Sequence, residues 1–251
     1  MNDQTPAWLS DLERRHLGDL TTSEVARALR ALSSCYVERR SKLASGEALG
    51  SRGKRAAFAL FYGPLHFLVT REIVRSIPDA QTALREIVDV GCGSGAAGIA
   101  WATESGTARV RGFDRSPWAI DEANAAYRVF GLDGRASRRD LSLRIGRAKA
   151  TPSRGTGIIA AYTINELDDQ ARKLVLSELL SRQASGARVL VIEPIARRTS
   201  PWWSAWEDAF TRAGGRADEW RFPATLPPTQ QQLARAAGLD PRELTARSLF
   251  A

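Results

Sequence analysis

Cysteine is nearly absent from the 251-residue chain: Cys35 and Cys92 are the only two. Two distant thiols cannot build a disulfide framework. Nor can they supply a four-thiolate metal or iron–sulfur site, so no metal is expected. Long apolar runs are also missing, which argues against a membrane-spanning helix. Met1–Ser10 has neither a basic stretch nor an extended apolar one, so no signal peptide is expected and a reducing cytoplasm is the expected location. Lysine is scarce as well. Only Lys42, Lys54, Lys149 and Lys173 occur, so the net charge of +8 is carried by arginine.

Hydrophobic residues make up 43% of the chain and charged residues 25%, as in an ordinary globular protein able to bury a core. The excess positive charge suggests a nucleic-acid partner. It is concentrated between Gly134 and Arg154, where seven basic residues face Asp140 alone, a local charge of +6. A solvated strand and loop would read the same way.

The rest of the chain is organised around Ile87-Val88-Asp89-Val90-Gly91-Cys92-Gly93-Ser94-Gly95. A short apolar run ends in an acid, three alternate glycines follow, and an alanine-rich helical run begins at Ala96. The pattern reads as strand, glycine turn and helix. Glycine lets the backbone approach a ligand without a Cβ in the way, and a helix N-terminus offers unpaired N–H groups. Asp89 can meet a cationic or hydroxyl group. The spacing is G-x-G-x-G and not the G-x-G-x-x-G of dinucleotide sites. Cys92 reads as a small filler within the turn.

Arg109–Asp114 reads as the next strand. Its terminal acid lies about 20 residues past the turn, where a carboxylate meets ribose hydroxyls. Arg115-Ser116-Pro117 then opens a helix, with Ser116 as cap. Further alternation is legible: a third strand over Arg135–Asp140, a fourth at Gly157–Ala161, a fifth at Gly186–Pro194, and later strands at Glu219–Phe222 and Leu244–Phe250. Helices fall between them. This order predicts an α/β fold with a mostly parallel sheet and helices on both faces. Residues 1–80 read as a helical N-terminal extension and 81–251 as the α/β domain. Gly63-Pro64 is expected to break the helical run from Ala56 to Ile77. The aromatic cluster Phe58, Phe61, Tyr62, His66 and Phe67 reads either as packing between helices or as a lid wall or base-stacking surface.

The glycine turn, Asp114-Arg115-Ser116, Tyr162-Thr163-Ile164-Asn165-Glu166-Leu167 and Val191-Ile192-Glu193-Pro194 together resemble class I methyltransferases. Within them they are similar to the methyltransferase-like family associated with small-ribosomal-subunit assembly in mitochondria and bacteria. The likeness spans roughly residues 88–210. It implies a Rossmann-like, seven-stranded type of sheet and S-adenosylmethionine (SAM) as cofactor, with S-adenosylhomocysteine as product. Ribosomal RNA or the small subunit is the implied partner. The cofactor residues it implies are Asp89, Gly91, Cys92, Gly93, Ser94, Gly95, Asp114, Arg115, Ser116, Asp140 and Tyr162. Many members carry a cysteine cluster for a metal centre, which this chain lacks. The Asn/Asp-Pro-Pro-aromatic run of amine methylation is also missing. Asn165 and Glu166 are therefore the candidates for facing an acceptor; alternatively they cap and open the following helix. Three functions stay open: an RNA methyltransferase, a small-molecule methyltransferase with a helical lid, and a SAM-binding assembly factor without catalysis.

Overall fold

The computed structural model describes residues 3–38, 49–139, 154–195, 200–239 and 241–251. Seven strands form one sheet: β1 (Glu86–Val90), β2 (Arg109–Asp114), β3 (Asp133–Arg138), β4 (Thr156–Ala161), β5 (Arg188–Glu193), β6 (Arg216–Pro223) and β7 (Glu243–Phe250). Their order is β3-β2-β1-β4-β5-β7-β6. The first five are parallel, and β7 runs antiparallel to both β5 and β6. The strand order turns back between β1 and β4. In open α/β sheets that switch point leaves a crevice at the strands' carboxyl ends, where ligands bind.

The period-2 alternation of the central strands explains the layers. Ile159, Leu190 and Ile192 face one apolar cluster, whereas Ile158, Ala160, Val189 and Val191 face the other. The second cluster is closed by Val175 and Leu179 of the helix Asp169–Ala184 and by Trp203, Trp206 and Phe210 of the helix Trp203–Arg212. The first contains the helices Ala96–Glu104 and Pro117–Val129 together with the N-terminal helices.

Four N-terminal helices precede the sheet in the described residues: α1 (Thr5–His16), α2 (Thr22–Glu38), α3 (Arg52–Ala57) and α4 (Gly63–Ser76). Thr21 and Glu24 cap α2 reciprocally: the Glu24 N–H donates to Thr21 Oγ1 at 3.3 Å and the Thr21 N–H to Glu24 Oε2 at 2.8 Å. The expected boundary near residue 80 falls at the 3₁₀ turn Pro78–Gln81, but one apolar cluster is continuous across it, from Trp8 and Leu29 to Ile87. Trp8 of α1 meets Phe67 at 5.4 Å and Phe130 at 5.7 Å between ring centroids.

The expected break at Gly63-Pro64 does not occur. The chain stays helical by passing from α3 to α4 through a π-helical turn, Phe58–Tyr62. The Gly63 N–H donates to the carbonyl of Phe58, five residues back. Pro64 has no N–H, so the carbonyl of Leu60, its partner in a regular α-helix, would be orphaned. Gln230, buried on the helix Pro228–Ala237, donates its Nε2 to that carbonyl at 2.8 Å. The third strand also differs from its expected bounds. It begins at Asp133, because Gly134 pairs with Val110 and lies against the Tyr127 ring, where a Cβ would sit 2.4–2.7 Å from ring atoms. Asp140 lies outside the described residues, as does most of the basic segment around it.

α1 is fastened by charge. Arg15 Nη1 donates to both oxygens of Glu122 at 2.7 Å, and His16 Nε2 is 3.2 Å from Glu122 Oε1. Burial pushes the Glu122 carboxyl up, but its bonds with His16 and Arg15 outweigh this and hold it below the ordinary glutamate range. A group depressed on folding contributes stability above its unfolded pKa and loses it as pH falls through its folded pKa. Glu122→Ala leaves the half-buried Arg15 guanidinium with Asp11 alone and should cost about 2 kcal/mol, lowering the melting temperature by roughly 4–8 °C at neutral pH. Thermal unfolding across pH checks this: the gap between the two proteins should narrow below about pH 4.

Candidate active site

The glycine turn begins where β1 ends. The N–H groups of Gly91 and Cys92 both donate to the Phe113 carbonyl, at 2.8 and 3.0 Å, which pins the turn to β2. Gly91 has φ +72°, and a Cβ there would lie 2.2 Å from Thr163 Oγ1. Gly95 has φ +80° and abuts Tyr127 and Ala123. At both positions only glycine satisfies the backbone and the space together. Cys92 is buried, and burial raises its thiol well above the ordinary range, so it serves as a filler and not as a thiolate nucleophile.

Asp114, at the end of β2, joins the turn to the next helix. Its Oδ2 accepts from the Gly93 N–H at 2.9 Å and its Oδ1 from the Ser116 N–H at 2.8 Å. Each carboxylate oxygen keeps a further lone pair for a ligand hydroxyl. Ser116 caps the helix Pro117–Val129 as expected, accepting from the Ala119 N–H at 3.4 Å. Asp89 sits deeper than the sequence suggests. It is 1% exposed, and its Oδ2 accepts from the N–H of Gly98, on the first turn of the following helix, at 2.9 Å. Burial raises the Asp89 carboxyl to about 7 against the opposing Gly98 bond, and the charge of Asp114 adds to the rise.

At the end of β4, Tyr162 holds φ +58°, the only non-glycine residue at positive φ among the described residues. Its N–H donates to the Ile192 carbonyl at 2.8 Å, which fixes that conformation from the β5 side. A left-handed tyrosine is strained and persists only where its surroundings over-determine it, commonly at functional sites. Its ring lies flat on His66 of α4, with 3.9 Å between centroids and 14° between planes. Burial drives the His66 imidazole down to about 3, so it is neutral.

Asn165 and Glu166 lie on a separate 3₁₀ turn, Ile164–Glu166. The capping alternative is therefore corrected. Asp168 caps the helix Asp169–Ala184, accepting from the Ala171 N–H at 2.7 Å. Asn165 ties strand ends together. Its N–H donates to Glu193 Oε1 at 3.2 Å and its Nδ2 to Glu193 Oε2, while its Oδ1 accepts from Ser200 Oγ at 2.6 Å and Trp202 Nε1 at 3.1 Å. Glu193, fully buried at the end of β5, is pushed up to about 8 by burial despite those bonds. Glu166 meets Arg115 Nη2 at 3.4 Å; burial raises its carboxyl to about 7, with Arg115 pulling the other way.

These pieces surround one cavity of about 760 Å³ at the carboxyl ends of β1 and β4. That is within the usual range for a small-molecule site. It brings together Asp89, Gly91, Cys92, Gly93, Ser94, Asp114, Arg115, Ser116, Tyr162, Asn165 and Glu166, whereas Gly95 is packed away from it against Tyr127 and Ala123. The aromatic cluster divides: Phe58, Tyr62 and His66 line the cavity, whereas Phe61 and Phe67 are core. Sequence reasoning did not pick out Glu193 as a site residue, although its signal was present as an acid ending an apolar strand. Leu244 and Thr245 of β7 also line the cavity, and no local pattern marks them.

Gly98 is a further residue the sequence left unmarked. A Cβ on it would lie 2.7 Å from Asp89 Oδ2. Gly98→Ala should cost about 1–3 kcal/mol through that overpacking. Denaturant unfolding of the purified variant checks it.

The sequence model described as methyltransferase small domain matches residues 69–150, from within α4 past β3. No curated protein matches. Among solved structures, the methyltransferase domain of bacterial CtHen1 aligns with a TM-score of 0.50 at 12% identity, covering 74% of this chain and 99% of its own. The mitomycin 7-O-methyltransferase MmcR aligns with a TM-score of 0.52 at 14% identity, covering 89% of this chain and 66% of its own. At such identities the likeness is one of fold. The residues present fit the cofactor that this fold implies: the turn leaves no Cβ at its closest positions, and Asp114 retains acceptor capacity beside the N-terminus of a helix. The chain carries the Rossmann-like class I methyltransferase fold with an N-terminal helical portion, a fold whose cofactor is S-adenosylmethionine.

Proposed function

We propose that this chain is a SAM-dependent methyltransferase acting on RNA, with small-subunit ribosomal RNA as its acceptor. The observation that carries the catalytic reading is the continuity of the cavity. The glycine turn and the turn after β4 line the same space, so a methyl donor and an acceptor can meet there. When bound, the cofactor supplies a methyl group on a positively charged sulfur, open to in-line attack. Gly91, Cys92, Gly93 and Ser94 provide the backbone that lies against it, while Gly95 closes the turn against Tyr127 and Ala123. Asp114 takes its hydroxyls, Arg115 and Ser116 border them, and Tyr162 packs beside it. Asp89 acts indirectly, by holding the first turn of the helix through Gly98. Asp140 is retained as a candidate for the adenine end.

On the acceptor side, Glu166 is the proton-accepting group in this reading. It faces the cavity, and its carboxyl is poised near neutrality, where a general base works best. Asn165 positions the turn that carries it. RNA is favoured by the net charge of +8 and by exposed Arg135 and Arg138 on the edge strand β3 and Arg139 just after it, of which Arg138 reaches the cavity. The family resemblance points the same way. A small-molecule acceptor is the second reading, favoured by the aromatic wall of Phe58, Tyr62 and His66.

The test is transfer of tritiated methyl from labelled SAM to small ribosomal subunits and their RNA, purified from a strain lacking the gene. Label in RNA is expected, with RNA affinity falling steeply as salt rises. SAM binding without label in either acceptor would move the reading to small molecules or to a cofactor-binding assembly factor without catalysis. Asp114→Ala removes a charged hydrogen-bond acceptor and should weaken SAM binding about ten- to a hundred-fold by calorimetry. The methyl-transfer rate should rise with pH through about 7 as Glu166 loses its proton. Glu166→Gln should abolish that limb and lower the rate about a hundred-fold or more.

A further inference from the structure

The protein is strongly basic, but the inner half of its cavity is not. The strand order separates two ends. β3, which carries Arg138, stands three strands from β4, about 14 Å at the usual inter-strand spacing. The half beyond β4 is lined by carboxylates from three places: Glu166 after β4, Glu193 at the end of β5 and Glu243 at the start of β7. Arg115, the cavity-lining guanidinium nearest them among the described residues, is engaged with Glu166. The remaining wall is aromatic and apolar, with Phe58, Tyr62, His66 and Leu244. His66 brings no positive charge, because burial keeps it neutral.

The carboxylates are not equally committed. Asp114 accepts two backbone N–H groups, and Glu193 accepts from both the backbone and the side chain of Asn165. Glu243 meets Arg221 at 3.3 Å. Among the described residues Glu166 has one side-chain partner, Arg115, at the long distance of 3.4 Å. Glu243 is exposed, so Glu166 is the carboxylate within this half with capacity left for an incoming donor.

We propose that the group entering this half is a planar ring that is uncharged or cationic and carries an N–H or O–H directed at Glu166, and that anionic groups are excluded from it. This rests on the methyltransferase reading and holds for an RNA base or a small molecule alike; with RNA, the phosphates stay outside, toward Arg138. In the transfer, the ring nitrogen or oxygen bonds to the methyl carbon as the carbon–sulfur bond breaks. The electron pair of that bond stays with sulfur, and the acceptor's proton passes to Glu166. A phosphate or carboxylate in the same place would face the acidic side chains of Glu166 and Glu193 and apolar rings, with Arg115 already engaged by Glu166, and would lose its hydration there.

Three isosteric probes test it: 2-naphthol, 2-naphthylmethylammonium and 2-naphthoate, each titrated calorimetrically into the full chain saturated with S-adenosylhomocysteine. The neutral and cationic probes should bind at least ten-fold tighter than the anion. Glu166→Gln should reduce that preference to about three-fold or less while leaving S-adenosylhomocysteine affinity within about two-fold. Phe58→Ala should weaken all three probes and keep their order, which separates the apolar wall from the charge. Equal or tighter binding of naphthoate overturns the proposal, as does the failure of all three probes with S-adenosylhomocysteine bound. Failure of S-adenosylhomocysteine itself to bind overturns the methyltransferase reading instead.

Discussion

The site depends on the way β1 and β2 hold one another at their carboxyl ends. The Phe113 carbonyl accepts two successive N–H groups of the glycine turn, and the neighbouring Asp114 accepts a third from Gly93. Three donors from the turn converge on two adjacent residues of β2. The turn is thereby pre-shaped, and little ordering entropy remains to be lost when a ligand arrives. Asp89 supports it from behind by binding Gly98 in the first turn of the helix. The same carboxylate that holds the helix forbids a side chain at Gly98, so the small-residue helix and the acid of β1 require each other.

The opposite wall is built by a helix irregularity. Pro64 cannot donate, and the chain responds with a π-helical turn instead of a break. The freed Leu60 carbonyl is met by Gln230, from a helix that immediately precedes β7. One hydrogen bond therefore links the aromatic wall of the cavity to the segment that leads into Leu244 and Thr245, which line the same space. The N-terminal helices are thus part of the site's construction, and one core cluster binds them to the sheet.

Between these walls, Asn165 and Glu193 join the two most distinctive sequence pieces, Tyr162–Leu167 and Val191–Pro194. The acid that ends β5 has its oxygens occupied by the turn after β4. That turn in turn carries Glu166 toward Arg115 and the cavity. The strained φ of Tyr162 fits this picture, since its own N–H is held by β5 through Ile192. A short turn held from several sides can keep a side chain in an unfavourable conformation at small net cost, because the surrounding bonds form together.

By itself the sequence determined what depends on chain neighbours. The β–glycine–α unit at Asp89–Ala96, the Ser116 cap, the strand and helix alternation, and the acid at the end of β2 were all legible, because each signal lies within a few residues and reflects local backbone chemistry. Only the tertiary structure decided what depends on partners far apart in the chain. Gln230 meets Leu60 across 170 residues, and Asn165 meets Glu193 across 28, so neither pairing leaves a local pattern. The helix through Gly63-Pro64 has the same origin: a proline break is the local expectation, and a distant glutamine removes its penalty. The division of the aromatic cluster between core and cavity, and the acidic inner half of a basic protein, followed from strand order. That order is set by which apolar faces can be buried together.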